Sequence, residues 1–332
     1  MNIYLTLDYE LFSGNPVGTP ENCIVRPMTE LDKVAEKWGV KYVLFVDAAN
    51  LLKLEQYSSD ACVKRDYDLW VENMRYLEEK GHDIQMHFHP QWMYSSYEKG
   101  TWKVDTSHFK LSDMDEGLAV SSFLEAKICL EKAIGHPVYA FRAGGYCLDT
   151  FPKYIELFKK AAISIDSSVA RHRQVKSKVH EYDYRQIPQK QVYSFSSSVK
   201  EEDEDGMFTE MSIASVRENM FERFLKIKKL TSTYNPTVVY KDGKVLPDGK
   251  NSRLRMLLSQ LKTNTRLCSI DGASSTLLEY YYEKCVKKGY SDLVLIGHPK
   301  NATDASIRNL EKFISNHIEK DRFQTTKDIH HG

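Results

Sequence analysis

Short apolar runs alternate with amphipathic stretches along most of this chain, and nearly every apolar run ends on a polar cluster. Ile3 to Leu7 reads as a buried strand that delivers Asp8-Tyr9-Glu10 at its C-terminal end. Gly14 to Thr19, with two glycines and a proline, is a loop placed to lie over that strand end. Thr29 to Trp38 carries Leu31, Val34, Ala35 and Trp38 at helical spacing and stops at Gly39. Val40 to Val46 is largely apolar, as a parallel strand buried on both faces should be. Asp66 to Lys80 repeats the helical spacing, closes at Gly81, and leads to a strand over Ile84 to Phe88. Downstream the spacing predicts helices over Glu116 to Ile134, Thr150 to Ala162 and Thr276 to Lys288. Strands are predicted over Val138 to Phe141, Ile163 to Ile165 and Leu293 to Ile296.

Strand, helix, strand in series is the signature of an α/β fold. The polar clusters Arg142 to Tyr146, Asp166-Ser167-Ser168 and Gly297 to Lys300 all follow strands. That is where α/β barrels and open α/β sheets build their active sites. The rhythm breaks at about residues 170–265, read as insertions on one domain. This region holds a basic, polar stretch from Lys176 to Lys190, an acidic solvated turn at 201–206 and two Asp-Gly turns between Tyr240 and Asn251. Within it Glu210 to Ile213 is expected as a strand end and Phe221 to Leu230 as a helix. The tail at 321–332 is polar, with His330 and His331 in a frayed end.

Composition narrows the function classes. The 332 residues suffice for one α/β barrel or two ordinary domains. Basic and acidic side chains balance at 46 each, so nothing calls for nucleic acid or an anionic membrane face as partner. The 20 tyrosines suit stacking on sugars as well as half-buried packing. Six scattered cysteines without a Cys-x-x-Cys pair argue against a disulfide framework or thiolate zinc site, and fit reduced thiols in cytosol. With no basic-then-apolar leader and no run of 18 apolar residues, a cytoplasmic protein without a membrane span is expected. Oligomeric state is left open.

The sharpest chemical signal is the stretch Gly81 to Trp92, with His87 and His89 two apart before Pro90. On a strand, Ile84 and Met86 share one face and the two imidazoles share the other. Neutral imidazoles suit zinc, cobalt, nickel or iron, and Pro90 ends the strand where such a site must open. In isolation the pair reads first as surface histidines, because two ligands do not make a site. The other strand ends change that. Asp8 and Glu10 can both face the site, one as ligand and the other taking a proton from water. Arg142 can hold that base ionised, and His298 can protonate a departing amine near neutral pH. Structural alternatives are a cap and a solvated carboxylate for Asp8 and Glu10, an ion pair for Arg142, a turn for His298 and a loop cap for Asp166. His82 reads as an anchor for the loop after Gly81.

Four segments resemble the polysaccharide deacetylases, carbohydrate esterase family four. They are Leu5 to Glu10, Gly81 to His89, Phe141 to Tyr146 and Leu295 to His298, in that family's order and spread over most of the chain. The resemblance implies a distorted (β/α) barrel over residues 1–320. It also implies a divalent metal held by an acidic residue and two histidines, with zinc first and cobalt, nickel or iron as alternatives. Acetyl groups would leave by attack of metal-activated water. On this pattern Asp8 is the general base, Glu10 the acidic ligand, His87 a histidine ligand, Arg142 the partner of the base and His298 the general acid.

The chain departs from the pattern at three places. Tyr9 separates acidic residues that the family keeps adjacent, so Asp8 and Glu10 can exchange roles. The family spaces its histidines by four; Gln91 stands at that position, and His89, offset by two, is the expected second ligand with Gln91 as the alternative. Gly144-Gly145 replace the proline of the usual Arg-x-Pro-Tyr and add a residue, so the oxyanion donor is either Tyr146 or a backbone N–H freed by the glycines. Trp92, Tyr146 and Asp166 are the expected substrate contacts, with core packing as the alternative for the two aromatics. The expected activity is deacetylation of an amino sugar on a nucleotide or lipid carrier, a precursor of surface polysaccharide. Two alternatives stand beside it: a same-fold hydrolase of a non-sugar amide, and a carbohydrate-binding protein without turnover.

Overall fold

The computed structural model describes residues 1–177, 179–218, 222, 234–246 and 265–330. Among these, nine strands form one sheet: β1 (Asn2–Tyr9), β2 (Val43–Asp47), β3 (Asp83–Phe88), β4 (Ala140–Ala143), β5 (Ile165–Asp166), β6 (Val192–Phe195), β7 (Phe208–Met211), β8 (Asp292–Gly297) and β9 (Arg322–Gln324). Their order is β6-β7-β5-β4-β3-β2-β1-β8, with β9 against the start of β1. Every pairing is parallel except β6 with β7. The two ends of this sheet approach each other. The Ala214 N–H donates to the Val294 carbonyl at 2.9 Å, and residues 268–270 bond both Ala214 and Ile296. The result is a nearly closed, distorted (β/α) barrel, as expected.

Helices pack outside: α1 (Arg26–Trp38), α2 (Ala48–Gln56), α3 (Ala61–Glu79), α4 (Glu116–Ile134), α5 (Ile155–Lys160), α6 (Leu278–Lys287) and α7 (Asp304–His317). The outward face of β1, Ile3, Leu5, Leu7 and Tyr9, joins the large core shared with them. A smaller cluster of Tyr4, Val43, Phe45, Ala140, Ile165, Met211 and Val294 fills the barrel interior. α1 stops at Gly39, whose φ of 68° a residue with a Cβ adopts only under strain.

Three helices differ from the hydrophobic reading. α3 begins at Ala61, earlier than predicted, because the Asp60 carboxylate caps it by accepting the N–H groups of Cys62 and Val63. α2 is not among the predicted helices, and the Asp47 carboxylate starts it by accepting from the Asn50 N–H. The Thr150 to Ala162 helix opens as a 3-10 turn over Phe151–Tyr154 before α5. The expected strand end at Glu210 is β7, and Glu201 to Asp205 are exposed. The predicted helix over 221–230 lies outside the described residues save for position 222, and so do the second Asp-Gly turn and His331.

Candidate metal and catalytic site

Period-2 alternation carries the chemistry to one end of the barrel. The inward positions of β1 run through Tyr4, Thr6 and Asp8 toward Glu10. Those of β2 run through Val43 and Phe45 to Asp47, and those of β3 through Gln85 and His87 toward His89. In the parallel register Asp47 stands beside His87, and His87 beside Arg142. His89 lies one residue past β3 yet keeps extended angles (φ −107°, ψ 104°), so it stays on the face of His87.

Glu10, His87 and His89 each present one donor atom, all within 4.8 Å of one another. The Nδ1 of His87 is 2.6 Å from the Arg142 carbonyl oxygen. That contact assigns the proton to Nδ1 and leaves the Nε2 lone pair 3.4 Å from Glu10 Oε2. His89 Nδ1 lies 3.0 Å from the same Oε2 and 3.2 Å from Asp47 Oδ2. Burial alone would lift the Glu10 carboxyl, but Lys300, His89 and His87 hold it well below the usual carboxylate range. Burial likewise disfavours a charged His89 ring, and the carboxylates of Glu10 and Asp47 outweigh it and raise its pKa. Two imidazoles and a carboxylate, with His87 already oriented through its second nitrogen, fit a zinc-type divalent cation.

Beside this cluster Asp8 is 2% exposed, and its Oδ1 accepts from Arg142 Nη1 at 2.6 Å. Arg142 is fully buried and engaged along its whole edge. Nη2 donates to Thr6 Oγ1 at 2.9 Å and to Ser167 Oγ at 2.7 Å, and Nε donates to the Ser167 carbonyl at 2.9 Å. The guanidinium also lies 4.1 Å from the Phe45 ring centroid. A planar cation so fixed orients the Asp8 carboxylate.

His298 follows β8. Asp271 Oδ2 accepts its backbone N–H at 2.8 Å and lies 3.0 Å from its Nδ1. Nε2 then faces Asp8 Oδ2 at 3.6 Å and Glu10 Oε1 at 3.7 Å. Burial lowers the pKa of this ring, but Asp271, with Asp8 and Glu10 behind it, brings it above the ordinary value. The Asp8 carboxylate and the His298 imidazole therefore stand together beside the Glu10-His87-His89 cluster.

The two glycines after Arg142 have steric tasks. A Cβ on Gly144 would lie 2.6 Å from His89 Cδ2 and 2.8 Å from the Phe88 carbonyl oxygen. One on Gly145 would lie 2.1 Å from His180 Cδ2, and Gly145 itself has φ 61°. Tyr146 follows in the left-handed region at φ 65°, a strained position for a residue with a side chain. Burial raises its hydroxyl pKa far above the ordinary value, and the charge of Asp8 adds to this.

Six of the expected residues thus converge: Asp8, Glu10, His87, His89, Arg142 and His298. Tyr146 packs edge-on against Tyr182, centroids 6.3 Å apart, and its carbonyl accepts from the Tyr184 hydroxyl at 2.8 Å. Trp92 and Asp166 are engaged elsewhere. Trp92 is 3% exposed and packs edge-on against Trp102, centroids 5.3 Å apart. Asp166 is buried, accepts from the Ser168 N–H and hydroxyl, and hydrogen-bonds Glu210, whose carboxyl burial and the Asp166 charge raise well above its usual range. Gln91 lies buried on the 3-10 turn Pro90–Tyr94. His82 is the expected anchor: its Nδ1 accepts from the Tyr42 N–H at 3.0 Å and its Nε2 lies 2.9 Å from Asp32. Asp47, Asp271 and Lys300 were not foreseen. Asp47 ends β2 and Lys300 follows β8, the kind of position that flagged the others; nothing near Asp271 in the sequence points to it.

Among solved structures, the chain is similar to a protein described as a polysaccharide deacetylase from Mycobacterium smegmatis. The TM-score is 0.55 at 14% identity, over 98% of this chain and 87% of that one. The fold is that of the polysaccharide deacetylases. A PuuE allantoinase shares this deacetylase-type barrel with a TM-score of 0.50 at 11% identity, over 98% of this chain and 88% of that one. So does a GH57-type branching enzyme from the archaeon Pyrococcus horikoshii, with a TM-score of 0.52 at 8% identity, over 98% and 69% of the two chains. No family model and no curated protein matches the sequence. One barrel under three differently named enzymes leaves the chemistry to be argued from the side chains.

Proposed function

We propose that this protein is a metal-dependent hydrolase that removes an acetyl group from an amino sugar. The observation that carries the reading is the meeting of a Glu10-His87-His89 donor set, within 4.8 Å, with an Asp8–Arg142 pair and an Asp271–His298 pair. Glu10, His87 and His89 would hold the cation. The chemistry supplied by zinc there, or by cobalt, nickel or iron, is polarisation of the acyl carbonyl and a lowered pKa for water. Asp8, oriented through Oδ1 by Arg142, takes the proton of the attacking water at Oδ2. His298, protonated and fixed through Nδ1 by Asp271, gives its Nε2 proton to the departing sugar amine. The donor to the acyl oxygen as it gains charge is either Tyr146 or a backbone N–H at Gly144-Gly145.

All six cysteines are free thiols, which fits a reducing compartment. No helix among the described residues is long and apolar enough to cross a membrane. A cytoplasmic enzyme would meet its sugar on a nucleotide or lipid carrier, as a surface-polysaccharide precursor, with no nucleic-acid partner. The barrel shared with an allantoinase favours a second reading, hydrolysis of a non-sugar amide by the same residues. The first test is metal content by mass spectrometry, for wild type and for His87→Ala with His89→Ala. About one metal per chain, lost in the double variant, is expected. No metal after reconstitution with zinc or cobalt refutes the mechanism. With metal present, acetate release from acetylated sugar nucleotides but not from simple N-acetyl amides supports the sugar substrate, and the reverse selects the second reading.

A further inference from the structure

We infer that Lys300 is a positioning residue that occupies one oxygen of Glu10, so that the carboxylate offers a metal its other oxygen alone. The inference rests on the metal reading above and adds a residue to it. Lys300 is carried by the 3-10 turn Pro299–Asn301, directly after His298, and its side chain is 10% exposed. Nζ donates to Glu10 Oε1 at 2.7 Å and to the Leu11 carbonyl at 2.7 Å, and lies 4.9 Å from the Phe12 ring centroid. Two of these three contacts do not involve Glu10, so the ammonium is anchored independently of the carboxylate. Phe12 is itself wedged: a Cβ on Gly243 would lie 2.4 Å from its Cδ2. Asp242, next to that glycine, accepts from the Thr19 N–H and hydroxyl and from Asn22 Nδ2. The segment around 242–244 is thereby tied across the loop that follows β1, behind the Phe12 ring that Lys300 faces.

Glu10 divides its two oxygens accordingly. Oε1 faces Lys300, and His298 Nε2 at 3.7 Å. Oε2 faces His87 Nε2 at 3.4 Å and His89 Nδ1 at 3.0 Å. A carboxylate without such a partner can turn and bind through both oxygens; here that would break a buried charge-assisted hydrogen bond. Two consequences follow. Fewer protein donors keep positions open for water and substrate. A fixed ammonium beside the ligand oxygen also repels a second cation, so metal is held less tightly than Glu10 and two histidines alone would hold it.

The test uses the full chain stripped of metal and titrated with zinc and cobalt alone. Affinity is read by chelator competition, and coordination by the visible absorption of the cobalt form. Lys300→Met is expected to bind either metal at least ~10-fold more tightly, because the repulsive charge is gone and a second oxygen is freed. Its cobalt absorption should weaken as the coordination number rises. Lys300→Arg, which keeps the cation, should stay close to wild type in both readouts. If the Met variant does not fold, Lys300→Gln, which removes the charge but keeps a donor for the Leu11 carbonyl, carries the same expectation. Unchanged affinity and spectrum overturn the inference. So does a ~10–100-fold weakening, the usual result of losing a group that merely orients a ligand. Wild type that binds no cobalt takes down the metal reading and this inference together, whereas metal-binding wild type with an unaltered variant removes this inference alone.

Discussion

Replacing Arg142 by Met tests the buried clamp on Asp8, the proposed general base, without any knowledge of substrate. The guanidinium makes four hydrogen bonds, to Asp8 Oδ1, Thr6 Oγ1, and the Ser167 hydroxyl and carbonyl, at 2.6–2.9 Å. Both members of the ion pair are nearly inaccessible, at 0% and 3% side-chain exposure. Methionine keeps the apolar stem and contact with Phe45 but strands the Asp8 carboxylate in the barrel. Removing one partner of a buried pair costs about 3–5 kcal/mol, against total stabilities of about 5–15 kcal/mol, so the variant should fold with much of its margin gone. Urea unfolding of metal-free wild type, Arg142→Met, Asp8→Asn and the double variant measures this as a cycle. The double variant should lose about 1–3 kcal/mol less than the sum of the two singles. An additive cycle, or an Arg142→Met cost below ~1 kcal/mol as for an exposed pair, would refute the clamp.

Three further outcomes are expected. Asp47→Asn keeps a cap on α2, so its urea stability should stay near wild type, but without the carboxylate beside His89 Nδ1 metal affinity should fall ~10–100-fold. Asp47→Ala should add about 1 kcal/mol of destabilisation from the lost cap, and wild-type metal affinity in both variants would show that Asp47 does not hold His89. The raised pKa of His298 means that its acid form persists to higher pH and is lost as pH rises through that value. Asp271→Asn removes the largest raising cause, so the alkaline limb of the pH–rate profile should move to lower pH; an unmoved limb would take the acid role away from His298. Gly144→Ala places a methyl 2.6 Å from His89 Cδ2 and 2.8 Å from a backbone carbonyl. About 1–3 kcal/mol of overpacking, with weakened metal binding, is expected, and wild-type thermal stability and affinity would refute it.

The sequence carried the information that is local. Apolar runs located β1, β2, β3 and β8, glycine stops located the ends of α1 and α4, and period-2 alternation put His87 and His89 on one face. These signals need only a residue's near neighbours, because backbone geometry fixes side-chain direction over a few positions. Partner identity needs more. Lys300 reaches Glu10 across 290 positions of chain and Arg142 reaches Asp8 across 134, contacts created by the parallel register of distant strands. Asp271 comes from a segment with no strand pattern of its own and matters because it lies under His298. Trp92 and Asp166 carry the residue types of a sugar site, yet packing spent one on Trp102 and the other on Ser168 and Glu210. Gly144 and Gly145, which read as sources of free N–H groups, also make room for His89 and His180. Residue type and spacing state what chemistry is possible; closure of the barrel decides which groups are buried, which are paired, and which oxygen of Glu10 faces the two imidazoles.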